Sequence, residues 1–86
     1  MIFTVYILRT SSNTLYTGIT NNLEKRLGEH RNKTKASAKY MRYFESFILV
    51  YKEKVKTKKE ALKREWILKQ LTKSEKEDLI KSNNLD

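Results

Sequence analysis

The stretch Val5–His30, VYILRTSSNTLYTGITNNLEKRLGEH, limits the fold more than any other part of this chain. It holds two runs of β-branched and aromatic residues, one over Ile2–Arg9 and one over Leu15–Ile19. Between them stands Thr10-Ser11-Ser12-Asn13, residues that favour turns, so the two runs predict a hairpin. Strand residues alternate faces, and Tyr6 and Tyr16 therefore share a face only if the loop holds an odd number of residues. A loop of roughly three or five residues is expected. A helix then begins at Asn21 or Asn22, either of which can cap it, and runs to about Arg31. At about 100° per residue, Leu23, Leu27, Arg26 and His30 fall on one side. That places Arg26 and His30 on the buried side, with Lys25, Gly28 and Glu29 turned to water.

The remainder completes a small α+β domain. Residues 32–45 (NKTKASAKYMRYFE) have no clear period and read as a loop, while Phe47–Tyr51 (FILVY) is a continuous apolar run too short for a helix. Such a run reads as a central strand buried on both faces. Thr57-Lys58-Lys59-Glu60 and Thr72-Lys73-Ser74-Glu75 have the form of capping boxes. They predict one helix ending near Leu71 and a short terminal helix held by Leu79 and Ile80. The order is ββαβαα: a small sheet with the first strand in the middle, covered by helices, in one domain over residues 1–86.

Composition narrows the chemistry. With no Cys and one His there is neither a disulfide, nor a thiolate zinc site, nor a histidine cage. The same lack of Cys, with no signal-peptide pattern and no apolar run of membrane-spanning length, points to the cytoplasm. Nineteen Lys and Arg against ten Asp and Glu leave a net charge of +9. That surplus favours a polyanionic partner, nucleic acid first, although it also serves solubility.

One residue breaks the pattern of the Thr57 helix. With Leu62 at the origin and Trp66 about 40° away, Glu65 lies within the arc that also contains Ala61 and Leu68. A buried carboxylate needs a cation or several donors. Three readings stand: an ion pair with Arg26 or Lys69, a divalent ion, or a helix rotated so that Glu65 is exposed. Taken singly, Arg26, His30, Tyr6 and Tyr16 all have ordinary structural explanations. Taken together, they suit phosphodiester hydrolysis: one carboxylate suffices for Mg²⁺ or Mn²⁺, a guanidinium stabilises phosphoryl charge, and a hydroxyl or imidazole positions and deprotonates water.

At these residues the chain resembles the GIY-YIG nucleases. Thr4-Val5-Tyr6 stands at the first motif and Tyr16-Thr17-Gly18 at the second, followed by Arg26, His30 one turn on, and Glu65 within ALKREW. The likeness is greatest to small stand-alone bacterial members and covers nearly the whole chain. It implies a three-stranded antiparallel sheet, one divalent ion on Glu65, Tyr6 as a general base, and Arg26 as the transition-state cation. Tyr16 and His30 would orient water or phosphate. Thr4 replaces the first motif's glycine, Thr17 the second's isoleucine, and Ile19 stands where some repair relatives carry lysine. The base stays open between Tyr6 and His30, since a phenol of pKa near 10 needs strong help to act as one.

Lys33, Lys35, Lys39 and Arg42, interleaved with Tyr40 and Tyr43, pair phosphate-binding charge with stackable rings and are the expected nucleic-acid contacts, the alternative being a solvated basic loop anchored by one or two aromatics. Lys52, Lys54, Lys56, Lys58 and Lys59 either extend that track or guard a strand edge. The expectation is a metal-dependent endonuclease acting on single-stranded, nicked or branched DNA. The alternative is a non-catalytic nucleic-acid-binding module on the same scaffold, and an RNA-directed protein is a third reading.

Overall fold

The computed structural model describes residues 2–31 and 46–82. Strands β1 (Phe3–Thr10) and β2 (Leu15–Thr20) form the hairpin, followed by helix α1 (Leu23–Arg31). Strand β3 (Phe47–Val55) and helices α2 (Lys58–Gln70) and α3 (Lys73–Ser82) complete the order ββαβαα. The sheet is antiparallel in the order β2-β1-β3, with the first strand in the middle as expected.

Register follows from the turn. Thr10 N–H donates to Thr14 C=O at 2.9 Å and Asn13 N–H to Thr10 C=O at 2.9 Å, so Ser11, Ser12 and Asn13 form the loop. Asn13 takes φ 62°, a left-handed conformation that asparagine tolerates better than most residues. An odd loop sets Tyr6 opposite Gly18 and Leu8 opposite Tyr16, placing both tyrosines on the even-numbered face of β1 and β2.

The two faces of β1 carry separate cores. Val5 and Ile7 meet Tyr51, Ala61 and Leu68, with Leu79 and Ile80 of α3 packed against them. Tyr6 and Leu8 meet Leu27, with Tyr16, Leu23, Phe47 and Leu49 around them. A middle strand covered on both sides is apolar at nearly every position, as Val5 to Leu8 show.

Two expectations require correction. The Phe47–Tyr51 run is not a central strand: β3 lies at the sheet edge, extends to Val55, and leaves Ile48 61% exposed. Its unbroken hydrophobicity comes from a bulge. Tyr51 pairs with Ile7 but Leu49 with Leu8, so Val50 is an extra residue. Phe47 and Leu49 therefore serve one core, and Val50 and Tyr51 the other. Helix α2 is also rotated from the expected phase. Ala61 and Leu68 are fully buried, while Leu62 and Trp66 face water. The apolar content of α2 is split between core and surface, so its pattern carries little phase information.

The caps appear where anticipated. Asn22 Oδ1 accepts the Lys25 N–H at 3.2 Å, and the Thr57 hydroxyl accepts the Glu60 N–H at 3.1 Å. At α3, Thr72 and Glu75 satisfy each other's amides at 2.9 and 3.1 Å. Arg9 anchors α3 to β1 through both nitrogens of its fork, at 2.6 and 2.7 Å from the Glu77 carboxylate. Arg64 similarly donates to Glu53 at 2.7 Å, and Glu53 also accepts from Tyr51 at 2.5 Å, fixing α2 against β3.

Candidate active site

The even-numbered face of the hairpin carries Tyr6 and Tyr16, and α1 lies over it with Arg26 and His30 one turn apart. The Tyr6 hydroxyl is 3.2 Å from His30 Nε2. Among the described residues, three aromatic rings surround His30: Tyr16 edge-on at 5.7 Å, Phe47 edge-on at 6.0 Å and Tyr6 tilted at 6.3 Å between ring centroids. Phe47, read from the sequence only as a strand residue, thus holds the imidazole in place. Arg31 places its guanidinium 5.8 Å from the same Phe47 ring.

Gly18 makes this packing possible. A Cβ there would stand 2.6 Å from the Tyr6 oxygen and 2.8 Å from the ring carbon bearing it. Only a residue without a side chain lets the phenol lie flat across β2. The tyrosine–glycine pairing was accessible to sequence reasoning once a three-residue loop was assumed, because that loop puts position 18 opposite position 6.

Arg26 is half-buried and engages the Tyr6 hydroxyl as well as Glu29 Oε1, the latter at 3.2 Å. Helical spacing predicts Glu29 on the solvated side of α1. It is instead half-buried and orients the guanidinium. The i, i+3 spacing of Arg26 and Glu29 is the signal that could have identified it.

Proton affinities follow from this packing. Burial pushes the Tyr6 phenol up to about 12, with Arg26 pulling the other way and Tyr16 and Glu65 adding to the rise. Burial lowers the His30 pKa below 6.5, and the Arg26 charge lowers it further against the opposing effect of Glu29. Burial also works against charge on Arg26, but hydrogen bonds to Tyr6 and Glu29 outweigh it and raise its pKa. At neutral pH the cluster therefore holds a protonated phenol, a neutral imidazole and a permanent cation. A guanidinium only donates, so the Tyr6 oxygen accepts from Arg26, and it shares a hydrogen bond with His30 Nε2 in which either side can supply the proton.

Glu65 belongs to α2, whose Ala61 and Leu68 pack on the other face of the sheet. Its carboxylate is nonetheless near enough to oppose ionisation of Tyr6. Its side chain is 20% exposed, and among the described residues its partner is Lys69, whose ammonium lies at 3.4 Å and is half exposed. Of the three readings for Glu65, the Lys69 pair is thus present. It is an i, i+4 pair of the kind worth only about 0.3–0.5 kcal/mol, too weak to hold the carboxylate against a divalent ion. No group of three or more His, Cys, Asp or Glu residues suited to a metal occurs among the described residues. A divalent ion here would rest on this one carboxylate and fill its shell with phosphate oxygens and water, an arrangement Mg²⁺ favours.

The five expected site residues therefore gather from β1, β2, α1 and α2, but at two depths. Tyr16, Arg26 and Glu65 reach the surface, whereas Tyr6 and His30 are 1% and 2% exposed. Tyr6 is thus buried to its hydroxyl. The expected nucleic-acid contacts Lys33, Lys35, Lys39, Tyr40 and Arg42 lie outside the described residues. No helix among the described residues is long and apolar enough to cross a membrane.

Comparison with known proteins agrees with this geometry. Residues 2–78 match the GIY-YIG catalytic domain. A UPF0213 protein of Syntrophus aciditrophicus is 48% identical over 79 residues, covering 92% of this chain and 90% of that protein. A UPF0213 protein of Desulfotalea psychrophila is 42% identical over 79 residues, covering 92% of this chain and 71% of that protein. The solution NMR structure of the UPF0213 protein BH0048 from Bacillus halodurans superposes with a TM-score of 0.63 at 34% identity, covering 96% of this chain and 86% of the other.

Proposed function

The chain belongs to the GIY-YIG family, whose catalytic domain points to a nuclease, and from that premise we propose that it is a divalent-metal-dependent endonuclease hydrolysing phosphodiester bonds in DNA. The preferred substrates in this reading are single-stranded, nicked or branched DNA. One observation carries it: a carboxylate, a guanidinium and a tyrosine reach the surface around a buried phenol–imidazole pair, all on a chain of net charge +9.

In this reading Glu65 would hold Mg²⁺ or Mn²⁺, and the bound ion would supply shielding of phosphoryl charge and a lower pKa for water. Arg26, oriented by Glu29 and the Tyr6 oxygen, donates to the phosphoryl oxygens as charge builds on them. Tyr16, partly exposed beside His30, positions the phosphate or the attacking water. Tyr6, with a pKa of about 12, is a poor base by itself. In this reading its O–H donates to neutral His30 at 3.2 Å, so a proton reaching the Tyr6 oxygen is matched by one passing to Nε2. The buried pair then acts as a relay, with His30 the proton acceptor.

Labelled single-stranded, duplex, nicked and branched DNA incubated with Mg²⁺, Mn²⁺ or EDTA test the proposal. Metal-dependent cutting that disappears in Glu65→Ala is expected. Cutting that persists in EDTA, or in that variant, counts against it.

The burial of Tyr6 and His30 favours one other reading, a nucleic-acid-binding module that performs no hydrolysis. It predicts salt-dependent binding without cleavage of any substrate, independent of Glu65.

A further inference from the structure

The side of α2 that faces away from the sheet is unusual for a solvated helix. Leu62 is 47% exposed and Trp66 65% exposed, and their i, i+4 spacing stacks them on one side. Lys58, Lys59, Lys63 and Lys69, all exposed, surround the pair. Steps of about 100° put Lys58 and Lys69 on one flank and Lys59 and Lys63 on the other. The strip borders the candidate active site, since Glu65 precedes Trp66 in the chain and Lys69 is paired with Glu65.

We propose that this outward face of α2 binds an unpaired segment of DNA, with one base stacked on Trp66 and the four lysines on the flanking phosphates. The charge pattern selects the occupant. An exposed ring within a frame of ammonium groups matches a partner that alternates anionic and aromatic groups, which describes a single strand. A duplex offers its phosphates but keeps its base faces covered by their neighbours, so Trp66 would gain little from it. The strand would lie along α2 and bring a phosphodiester to Glu65. The inference rests on nucleic acid being the partner, but not on its being cut.

Trp66 is the only tryptophan in the chain, so intrinsic fluorescence reports on this place alone. The wild-type protein in EDTA is titrated with a thymidine oligonucleotide, a blunt duplex and inorganic polyphosphate. Quenching by the oligonucleotide, beyond that caused by the other two, is expected. Trp66→Ala should weaken oligonucleotide binding about tenfold, with Trp66→Phe retaining most of the affinity and duplex binding changing less than about twofold. Lys59→Ala with Lys63→Ala should flatten the salt dependence of oligonucleotide binding.

No quenching by the oligonucleotide, equal quenching by polyphosphate, or equal weakening of single-strand and duplex binding in Trp66→Ala would overturn the proposal. So would a fluorescence change with protein concentration alone, accompanied by sedimentation as a dimer, because a second copy would then cover Trp66. The two readings separate cleanly. DNA cutting without Trp66 quenching rejects the platform and keeps hydrolysis, whereas selective quenching without cutting on any DNA rejects hydrolysis and keeps the platform.

Discussion

The Tyr6 hydroxyl and His30 Nε2 meet at 3.2 Å with both residues excluded from solvent. This contact joins β1 to α1, and Arg26 shares the same oxygen. Tyr6→Phe keeps the ring but removes the oxygen that Arg26 and His30 share. Losing these buried hydrogen bonds should cost about 1–3 kcal/mol, measured by urea unfolding. DNA cleavage, if present in the wild type, should fall strongly, while oligonucleotide binding should stay nearly constant.

His30 makes stability depend on pH with a definite sign. Its folded pKa lies below 6.5, the value it regains on unfolding, so the unfolded chain binds the proton more readily. Stability is therefore fully present above 6.5 and lost as pH falls from there toward the folded pKa. Denaturation midpoints between pH 8 and pH 5 should show this loss, and His30→Gln should reduce it. Arg26→Met should raise the His30 pKa, because the adjacent positive charge is gone, as read by NMR titration of the imidazole. An unchanged His30 pKa in that variant would contradict the assigned coupling.

Gly18→Ala places a methyl group 2.6 Å from the Tyr6 oxygen. The phenol must move, which breaks its contacts with His30 and Arg26, at an expected cost of about 1–3 kcal/mol. Combining it with Tyr6→Phe should be less than additive. The oxygen that clashes most is then absent, although the ring carbon at 2.8 Å remains.

Thr17 is buried on the Val5–Ile7 side of the sheet, and among the described residues its hydroxyl has no hydrogen-bond partner. Thr17→Val replaces that hydroxyl with a methyl group of similar shape, and should stabilise the protein by about 1 kcal/mol in urea unfolding. A loss of stability would show that the hydroxyl is satisfied in solution.

Glu65→Gln separates chemistry from folding. The Lys69 pair is partly exposed and weak, so the variant should unfold within about 0.5 kcal/mol of the wild type. Loss of cleavage with unchanged unfolding would assign Glu65 to the reaction, and calorimetric titration with Mn²⁺ and DNA together should show weakened metal binding.

Much of the architecture was visible in local pattern. The turn at Thr10–Asn13, the caps at Asn22, Thr57 and Thr72, and the face shared by Tyr6 and Tyr16 each depend on residues close together in the chain. These short-range signals determined the order of elements and brought Tyr6, Tyr16, Arg26 and His30 to one layer. Only the tertiary structure decided the rest. The Val50 bulge splits one apolar run between two cores, and α2 turns Ala61 and Leu68 inward while leaving Leu62 and Trp66 in water. The depth of Tyr6 and His30 and the capture of Arg26 by Glu29 likewise follow from how α1 settles on the hairpin. Hydrophobicity records that a residue can be buried, but which residue is buried depends on the surface it meets, and that surface comes from distant parts of the chain.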